Sequence, residues 1–233
     1  MTKKQRALAA VEALKEAYPD ATCSLTYQNP LELLIATRLS AQCTDARVNL
    51  VTPALFARFP TLQDYLDGSE EEIAELIRSC GLYKTKARDI YAMCRKLADE
   101  FGGVVPDTVE ALTTLPGVGR KTANLIVGDI YHKPAVVTDT HCIRIAGRLG
   151  LTDSKVPLKV EKDLRALLPP EESNDFCHRT VLHGRAVCDA RKPKCEICCM
   201  QSFCRFAAGA SSPTGAKKQK NSGAQPKIAV CQE

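Results

Sequence analysis

The chain has 233 residues, is 45% hydrophobic and carries a formal net charge of +5. Four lysines and one glutamate lie beyond Phe206, which leaves +2 for residues 1–206, so any basic binding surface must be a local patch. Glu12, Lys15 and Glu16 interrupt the apolar run that a signal peptide needs, and no stretch is apolar over the length of a membrane span. Composition therefore predicts a globular protein and argues against secreted and membrane-spanning classes.

Apolar residues recur at intervals of three and four along most of the chain, as in Leu8, Val11 and Leu14. This spacing predicts amphipathic α-helices, and the proline and glycine positions divide the chain into about ten of them. Alternating, strand-like runs are scarce, so an all-α fold is expected. Residues 207–233 have no periodicity and almost no large apolar residue, which predicts a disordered tail.

Twelve cysteines in a chain without a recognisable secretion signal favour a metal or cluster site over a set of disulfides. Four of them follow the spacing C-x6-C-x2-C-x5-C: Cys188, Cys195, Cys198 and Cys204. Four thiolates can hold a zinc ion or a [4Fe–4S] cluster, but this spacing fits neither paired zinc knuckles nor bacterial ferredoxins. Cys199 is expected to be a buried or half-buried thiol outside the set. The remaining cysteines of the helical part are expected to fill core space: Cys23, Cys43, Cys80, Cys94, Cys142 and Cys177.

The residues LPGVG at 115–119 join two predicted helices, the first capped by Asp107 and the second running from about Gly119 to Ile130. Glycines at a turn can take positive φ angles and let the backbone approach another group closely. The free N–H groups of such a turn and of the following helix suit an anion such as a phosphate. An ordinary helix–helix connection uses the same glycines, and these residues alone leave that alternative open.

The longer stretch LPGVGRKTA, followed by VVTDTHCIRIAGRLGL, resembles the helix-hairpin-helix and catalytic segments of the endonuclease III family of DNA glycosylases. The cysteine spacing resembles the iron–sulfur loop of the same family and of the adenine glycosylases. The resemblance implies that Lys121 is a nucleophile and that Asp139, eighteen positions later, is its partner. It also implies DNA contacts for Gly117, Gly119 and Arg120. Without the resemblance, Lys121 is a surface charge and Asp139 a helix N-cap.

A lysine nucleophile implies both base removal and strand cleavage, because the amine forms an iminium that a hydroxyl cannot form. The function implied by the resemblance is a bifunctional DNA glycosylase and abasic-site lyase that removes oxidised pyrimidines from duplex DNA in base excision repair. The four cysteines would hold a [4Fe–4S] cluster.

A glycosylase must also extrude its target base and fill the gap that is left. The resemblance places Gln42 in that gap and makes Leu82 a wedge against the opposite strand. It further suggests that the basic loop between the first two cluster cysteines presents Arg191, Lys192 and Lys194 to phosphates. A polar helix end, a loop leucine packed on the core and a solvated charge run are the corresponding alternatives.

The resemblance implies an all-α protein with a DNA groove between two helical domains. The first is a six-helix barrel that contains the helix-hairpin-helix, at residues 22–132, and the second is an iron–sulfur domain made of residues 1–21 and 133–206. A cytoplasmic, DNA-associated monomer without a membrane partner is expected. Two alternatives stay open: a monofunctional adenine or mismatch glycosylase, whose members generally lack a lysine at the position of Lys121, and a non-catalytic iron–sulfur protein that binds DNA or transfers electrons.

Overall fold

A computed structural model describes residues 1–210 of the chain, and within them every regular element is helical. The α-helices of this part are α1 (Lys3–Ala17), α2 (Pro30–Ser40), α3 (Asp45–Arg58), α4 (Leu62–Asp67), α5 (Glu70–Leu76), α6 (Tyr83–Phe101), α7 (Val109–Leu112), α8 (Arg120–Asp129), α9 (Thr140–Leu149), α10 (Pro157–Leu167), α11 (Ser173–Ala186) and α12 (Arg205–Ala210). Single 3₁₀ turns lie at Pro170–Glu172, Cys195–Ile197 and Gln201–Phe203. The all-α prediction is confirmed.

Two sequence predictions about helix ends need comment. The helix α7 is capped by Thr108, whose hydroxyl accepts a hydrogen bond from the Ala111 N–H at 3.3 Å, so the prediction of Asp107 as the cap is wrong by one residue. The Asp107 carboxylate is instead paired with Lys133. At the C-terminal end, α12 continues to Ala210, so the first residues of the predicted disordered tail are helical; the rest of that tail, 211–233, lies outside the described residues.

Buried side chains form two separate hydrophobic cores. The first extends from Leu25 to Ala135 and is enclosed by the six longer helices α2, α3, α4, α5, α6 and α8 together with the four-residue α7. The second combines α1 with residues from Val136 to Met200. Leu125 of α8 packs against both cores. The division into domains at residues 132 and 133 stays a prediction, which these two cores support.

None of the helices in residues 1–210 has the length and apolar character needed to cross a membrane.

Candidate active site

A cavity of about 250 Å³ lies where α8, α9 and α11 of the two cores face one another. Lys121, in the first turn of α8, and Asp139, immediately before α9, both line it. The structure thus brings together the two residues predicted to be catalytic. Its other polar lining residues include Thr37, Ser40, Asp45, His141, His178 and Arg185.

The turn before α8 depends on Gly117. Its φ angle is 74°, and a Cβ atom there would lie 2.6 Å from Nε of Arg38, whose guanidinium is paired with Asp89 at 2.6 Å. Gly119 differs from the expectation that both glycines adopt positive φ, because its backbone is extended and open space surrounds the position of a Cβ atom. No side chain caps the first turn of α8, so its N–H groups are left for a ligand from outside.

Arg120 anchors the start of α8 to the second core. Its guanidinium donates to both carboxylate oxygens of Glu161 on α10, at 2.7 and 2.8 Å. Glu161 is 2% exposed and also accepts from Arg165 at 3.1 Å. Burial acts to raise the pKa of Glu161, but hydrogen bonds from Arg120 and Arg165 outweigh it and lower the pKa. A contact between Arg120 and DNA stays a prediction.

Asp139 is the N-cap of α9, as its position before an amphipathic helix also suggested. One carboxylate oxygen, Oδ1, accepts a hydrogen bond from the Cys142 N–H at 2.6 Å. Among the described residues, no hydrogen bond to the other oxygen is found. The half-buried carboxylate therefore fixes α9 and still has an oxygen for the cavity.

His141 is a cavity residue that the sequence analysis missed. Burial lowers its pKa, and the cations Arg144, Arg185 and Lys121 act in the same direction, whereas Asp139 opposes them. The Nδ1 atom lies 3.0 Å from NH2 of Arg144. A neutral imidazole is therefore favoured beside the lysine. The sequence did contain a signal for this residue, because His141 stands two residues after Asp139, which was predicted to be a helix cap.

Arg185 closes one side of the cavity and connects the two cores. Its NH2 lies 2.9 Å from Oδ2 of Asp45 at the start of α3, and its NH1 lies 3.4 Å from Oγ of Ser24. Arg185 was not among the residues predicted to form the site. The structure instead places it in the cavity, paired with a carboxylate that comes from residues 140 positions away.

Gln42 and Leu82 lie in two neighbouring loops, residues 41–44 after α2 and residues 77–82 before α6. We call these two segments the insertion loops. Both residues are exposed, and both have left-handed backbones, with φ angles of 54° and 59°. A Cβ atom at Gly81 would lie 3.7 Å from the carbonyl oxygen of Gln42. Non-glycine residues in this conformation cost on the order of 1–3 kcal/mol and cluster at functional sites.

The four cysteines of the predicted cluster line one small cavity beside α9 and α12. Burial raises the pKa of Cys195, and the other three thiols raise it further. Four such thiolates repel one another and fit a group that carries positive charge. Around them, NH1 of Arg148 donates to Sγ of Cys188 at 3.2 Å, and Nε2 of His183 lies 3.4 Å from Sγ of Cys198.

A [4Fe–4S] cluster takes one thiolate for each of its four irons. Within residues 1–210, no three His, Cys, Asp or Glu side chains are grouped closely enough to hold one metal ion. Thiols spread over the walls of a cavity can each bind a separate iron of a [4Fe–4S] group.

The expectation that Cys199 is buried or half-buried is wrong, because this thiol is exposed. Its neighbour Cys198 lines the cavity of the four cysteines, and the place of Cys199 outside that set stays a prediction.

The basic loop between Cys188 and Cys195 exposes Arg191 and Lys192. Their backbone N–H groups donate to Oδ1 of Asp189 at 2.8 and 3.0 Å, and these bonds lower the pKa of that carboxylate. Lys194 is also exposed, but its Nζ donates to the Ala186 carbonyl at 3.1 Å. Contacts of all three cations with phosphates stay predictions.

Comparison with known proteins agrees with this arrangement. Residues 35–170 match the family described as HhH-GPD superfamily base excision DNA repair protein, and residues 188–204 match the iron–sulfur binding domain of endonuclease III. The fold is thus that of a helix-hairpin-helix base excision repair protein. Within this class, the chain belongs to the endonuclease III family, and its four-cysteine segment carries a [4Fe–4S] cluster.

The family assignment rests on matches over nearly the whole described chain. Endonuclease III of Synechocystis sp. is 50% identical over 88% of this chain and 94% of its own length. Endonuclease III of Bacillus subtilis is 41% identical over 84% of this chain and 90% of its own. The structure of a trapped endonuclease III–DNA covalent intermediate is 42% identical, covers 91% of this chain and all of its own, and superposes with a TM-score of 0.84.

Proposed function

We propose that this base excision repair enzyme removes oxidised pyrimidines from duplex DNA with Lys121 as nucleophile and then cleaves the strand 3′ of the abasic site. One observation carries the proposal: Lys121 and Asp139 come from helices of different cores and line the same cavity. A surface lysine and an ordinary helix cap would have no reason to meet in this way.

The chemistry begins with the neutral amine of Lys121. Its lone pair attacks C1′ of the nucleoside, the base leaves with the electrons of the glycosidic bond, and loss of a proton from nitrogen allows ring opening to an iminium. The iminium makes the C2′ proton acidic, and its removal expels the 3′ phosphate by β-elimination. Asp139 is placed to stabilise positive charge on the sugar or to accept a proton, and a neutral His141 adds no opposing cation.

Duplex DNA is the proposed partner, and several features of the described surface support it. The N-terminus of α8 is uncapped and open at Gly119, Arg191 and Lys192 are exposed, and Gln42 and Leu82 extend from neighbouring loops. The relative solved as a trapped covalent intermediate with DNA supports the same partner. We expect a monomer that acts in the cytoplasm on DNA.

Cys188, Cys195, Cys198 and Cys204 would hold the [4Fe–4S] cluster. When bound, the cluster supplies cross-linking iron–sulfur bonds to the region after α11. The chain itself supports this region from α9, because Arg148 donates to the carbonyl oxygens of Asp189 and Ala190 at 2.7 and 2.8 Å. The basic loop is thereby held in place for phosphates.

The test compares products from two duplexes, one with a thymine glycol and one with a mismatched adenine. We expect release of the oxidised pyrimidine together with a nick that ends in a 3′ unsaturated aldehyde, without heat or alkali. Release of adenine without a nick would replace the proposal by the monofunctional alternative. Binding of DNA without base release from either duplex would favour the non-catalytic one.

A further inference from the structure

Two cysteines outside the cluster lie in the insertion loops. Cys43 follows Gln42 directly, and Cys80 stands two residues before Leu82. The two loops adjoin at Gly81, whose Cβ position is 3.7 Å from the Gln42 carbonyl oxygen. The sequence analysis assigned both thiols to core filling, and the function proposed above uses neither of them.

The two thiols form a close pair with unequal access to solvent. The Cys80 side chain is 1% exposed and lies near enough to the Cys43 thiol for the two groups to interact, whereas Cys43 is half-buried. Burial raises the pKa of Cys80, and Cys43 raises it further. Beneath the pair, the fully buried Lys86 donates from Nζ to the Leu39 carbonyl at 2.7 Å and ties α6 to the end of α2.

A second thiol pair in the molecule offers a built-in comparison. Cys142 and Cys177 also lie near enough to interact, but they are 0% and 2% exposed. The Cys177 thiol is held from two sides, because it donates to the Ser173 carbonyl and accepts from the Val137 N–H, both at 3.2 Å. Neither thiol of this pair is open to solvent as Cys43 is.

We propose that Cys43 and Cys80 are an oxidative modification site, at which a small-molecule disulfide converts the two thiols into a disulfide that joins the insertion loops. The consequence for activity rests on the function proposed above: the disulfide slows extrusion of the target base and is reversed by thiols.

The reaction with a small-molecule disulfide such as oxidised glutathione is balanced. Cys43 reacts first because it is the more accessible thiol of the pair. It loses a proton to solvent, and its sulfur attacks one sulfur of the reagent and expels a glutathione thiolate. Cys80 then loses its proton, and its sulfur attacks Cys43 and expels the second glutathione thiolate. The protein loses two electrons and two protons, and the reagent is reduced to two thiols.

A disulfide fixes its two sulfurs at a distance of about 2.05 Å and ties the backbones that carry them together. Cys43 adjoins Gln42, and Cys80 stands two residues before Leu82, so the link restrains the loops that hold both residues in left-handed conformations. A misplacement of about 1 Å in a positioning element can cost up to roughly 100-fold in rate. An abasic site needs no base extrusion, so its cleavage should be affected less.

The modification is tested on the cluster-loaded protein by treatment with oxidised glutathione, alkylation of the remaining thiols and peptide mapping by mass spectrometry. We expect one new disulfide between two residues of the chain, Cys43 and Cys80, with Cys142 and Cys177 both alkylated only after unfolding. A glutathione adduct on the exposed Cys199 is a separate product that links no two residues. Cys43→Ser should remove the disulfide, and Cys94→Ala, which changes a lone buried thiol, should keep it. The visible absorption of the cluster, measured in the same samples, shows that iron has not been lost.

The consequence is tested by single-turnover rates of the oxidised and reduced forms. Base excision from a paired duplex should fall by roughly tenfold or more on oxidation, nicking of an abasic site should fall less, and dithiothreitol should restore both. In Cys43→Ser the rates of treated and untreated protein should be equal.

Three results would overturn the inference: a glutathione adduct on Cys43 that is never resolved by Cys80, a disulfide at Cys142 and Cys177 instead, or complete linkage of Cys43 to Cys80 with unchanged rates. Absence of base removal by the reduced enzyme would contradict the proposed function, while the peptide map would still decide whether the disulfide forms.

Discussion

Two helices begin at the same cavity in opposite ways. The first turn of α8 has no side-chain cap, carries Lys121 and starts from an open glycine, Gly119. The first turn of α9 is closed by Asp139, which accepts the Cys142 N–H at 2.6 Å. The N-terminus of α8 therefore leaves its N–H groups for an anion from outside the protein, whereas the N-terminus of α9 is hydrogen-bonded by the protein's own carboxylate.

The difference extends to the halves of the molecule from which these helices come. The first core presents backbone N–H groups, a lysine and two loops with left-handed backbone positions, and DNA is the partner that we propose for them. The second core presents a capped helix and a basic loop whose backbone is already hydrogen-bonded to Asp189. We infer that the first half reads and opens the duplex, while the second supplies a rigid carboxylate and phosphate contacts.

The largest effect is expected at Asp139. Asp139→Asn keeps a side chain that caps helices well, so stability should change little, whereas loss of the charge should slow base excision by roughly 10²- to 10⁴-fold. Asp139→Ala loses the cap as well and should be destabilised by about 1 kcal/mol. Single-turnover rates and urea unfolding of both variants separate the two roles. Equal rates for wild type and Asp139→Asn would reduce Asp139 to a cap.

The two hairpin glycines should respond differently to substitution. Gly117→Ala combines a positive φ of 74° with a Cβ atom 2.6 Å from Arg38, and should cost about 1–3 kcal/mol of unfolding free energy. Gly119→Ser has room for its side chain and an extended backbone, so it should cap α8, change stability by only a few tenths of a kcal/mol and weaken DNA binding. Unimpaired DNA binding by Gly119→Ser would show that α8 does not receive a phosphate.

The insertion loops give the next effect. Gln42→Ala or Leu82→Ala should slow excision from paired duplex by roughly tenfold, which corresponds to about 1.4 kcal/mol of lost compensation for extrusion. Nicking of an abasic site should be slowed less. The two rates are compared in single-turnover experiments on the same DNA sequence. A parallel fall of both rates would assign these residues to general DNA binding.

The smallest effect concerns the basic loop. Lys192→Ala should reduce the slope of the log–log salt dependence of duplex affinity by roughly 0.9, equally for damaged and undamaged DNA. Lys96→Ala, near the far end of α6 and paired with Glu100, is the matched control and should leave the slope unchanged. Identical slopes for the two variants would mean that the loop faces solvent.

Sequence reasoning predicted the parts of the site that depend on local spacing. The cluster cysteines, Lys121 and Asp139 lie within short motifs, and the helices around them follow from apolar periodicity. Motif spacing could not reveal the partner of Arg120, because Glu161 is 41 positions away and the arginine has the pattern of a surface residue. The expected contact between Arg120 and DNA stays a prediction beside this ion pair.

The thiol pairs were missed for a related reason. Cys43 and Cys80 occur in separate helix-ending turns, and only packing of the loops places one beside the other. The positive φ of Leu82 could not be predicted from the sequence either. Glycine is the residue type that favours positive φ, so the sequence points to the preceding Gly81 and not to Leu82. Thr108 and Asp107 are both residue types that cap helices well, so the sequence does not decide between them. The ion pair that Asp107 forms with Lys133 is a tertiary contact, which local sequence does not reveal.

The identity of the nucleophile is tested most directly by borohydride trapping on duplex DNA that contains an abasic site, followed by mapping of the modified peptide. Wild-type protein should be linked covalently to DNA through Nζ of Lys121. Lys121→Gln should lose the link and retain duplex binding, because the side chain is exposed and its loss removes no described contact of the fold. An adduct of equal yield in Lys121→Gln, or one mapped to another residue of the wild type, would contradict the assignment.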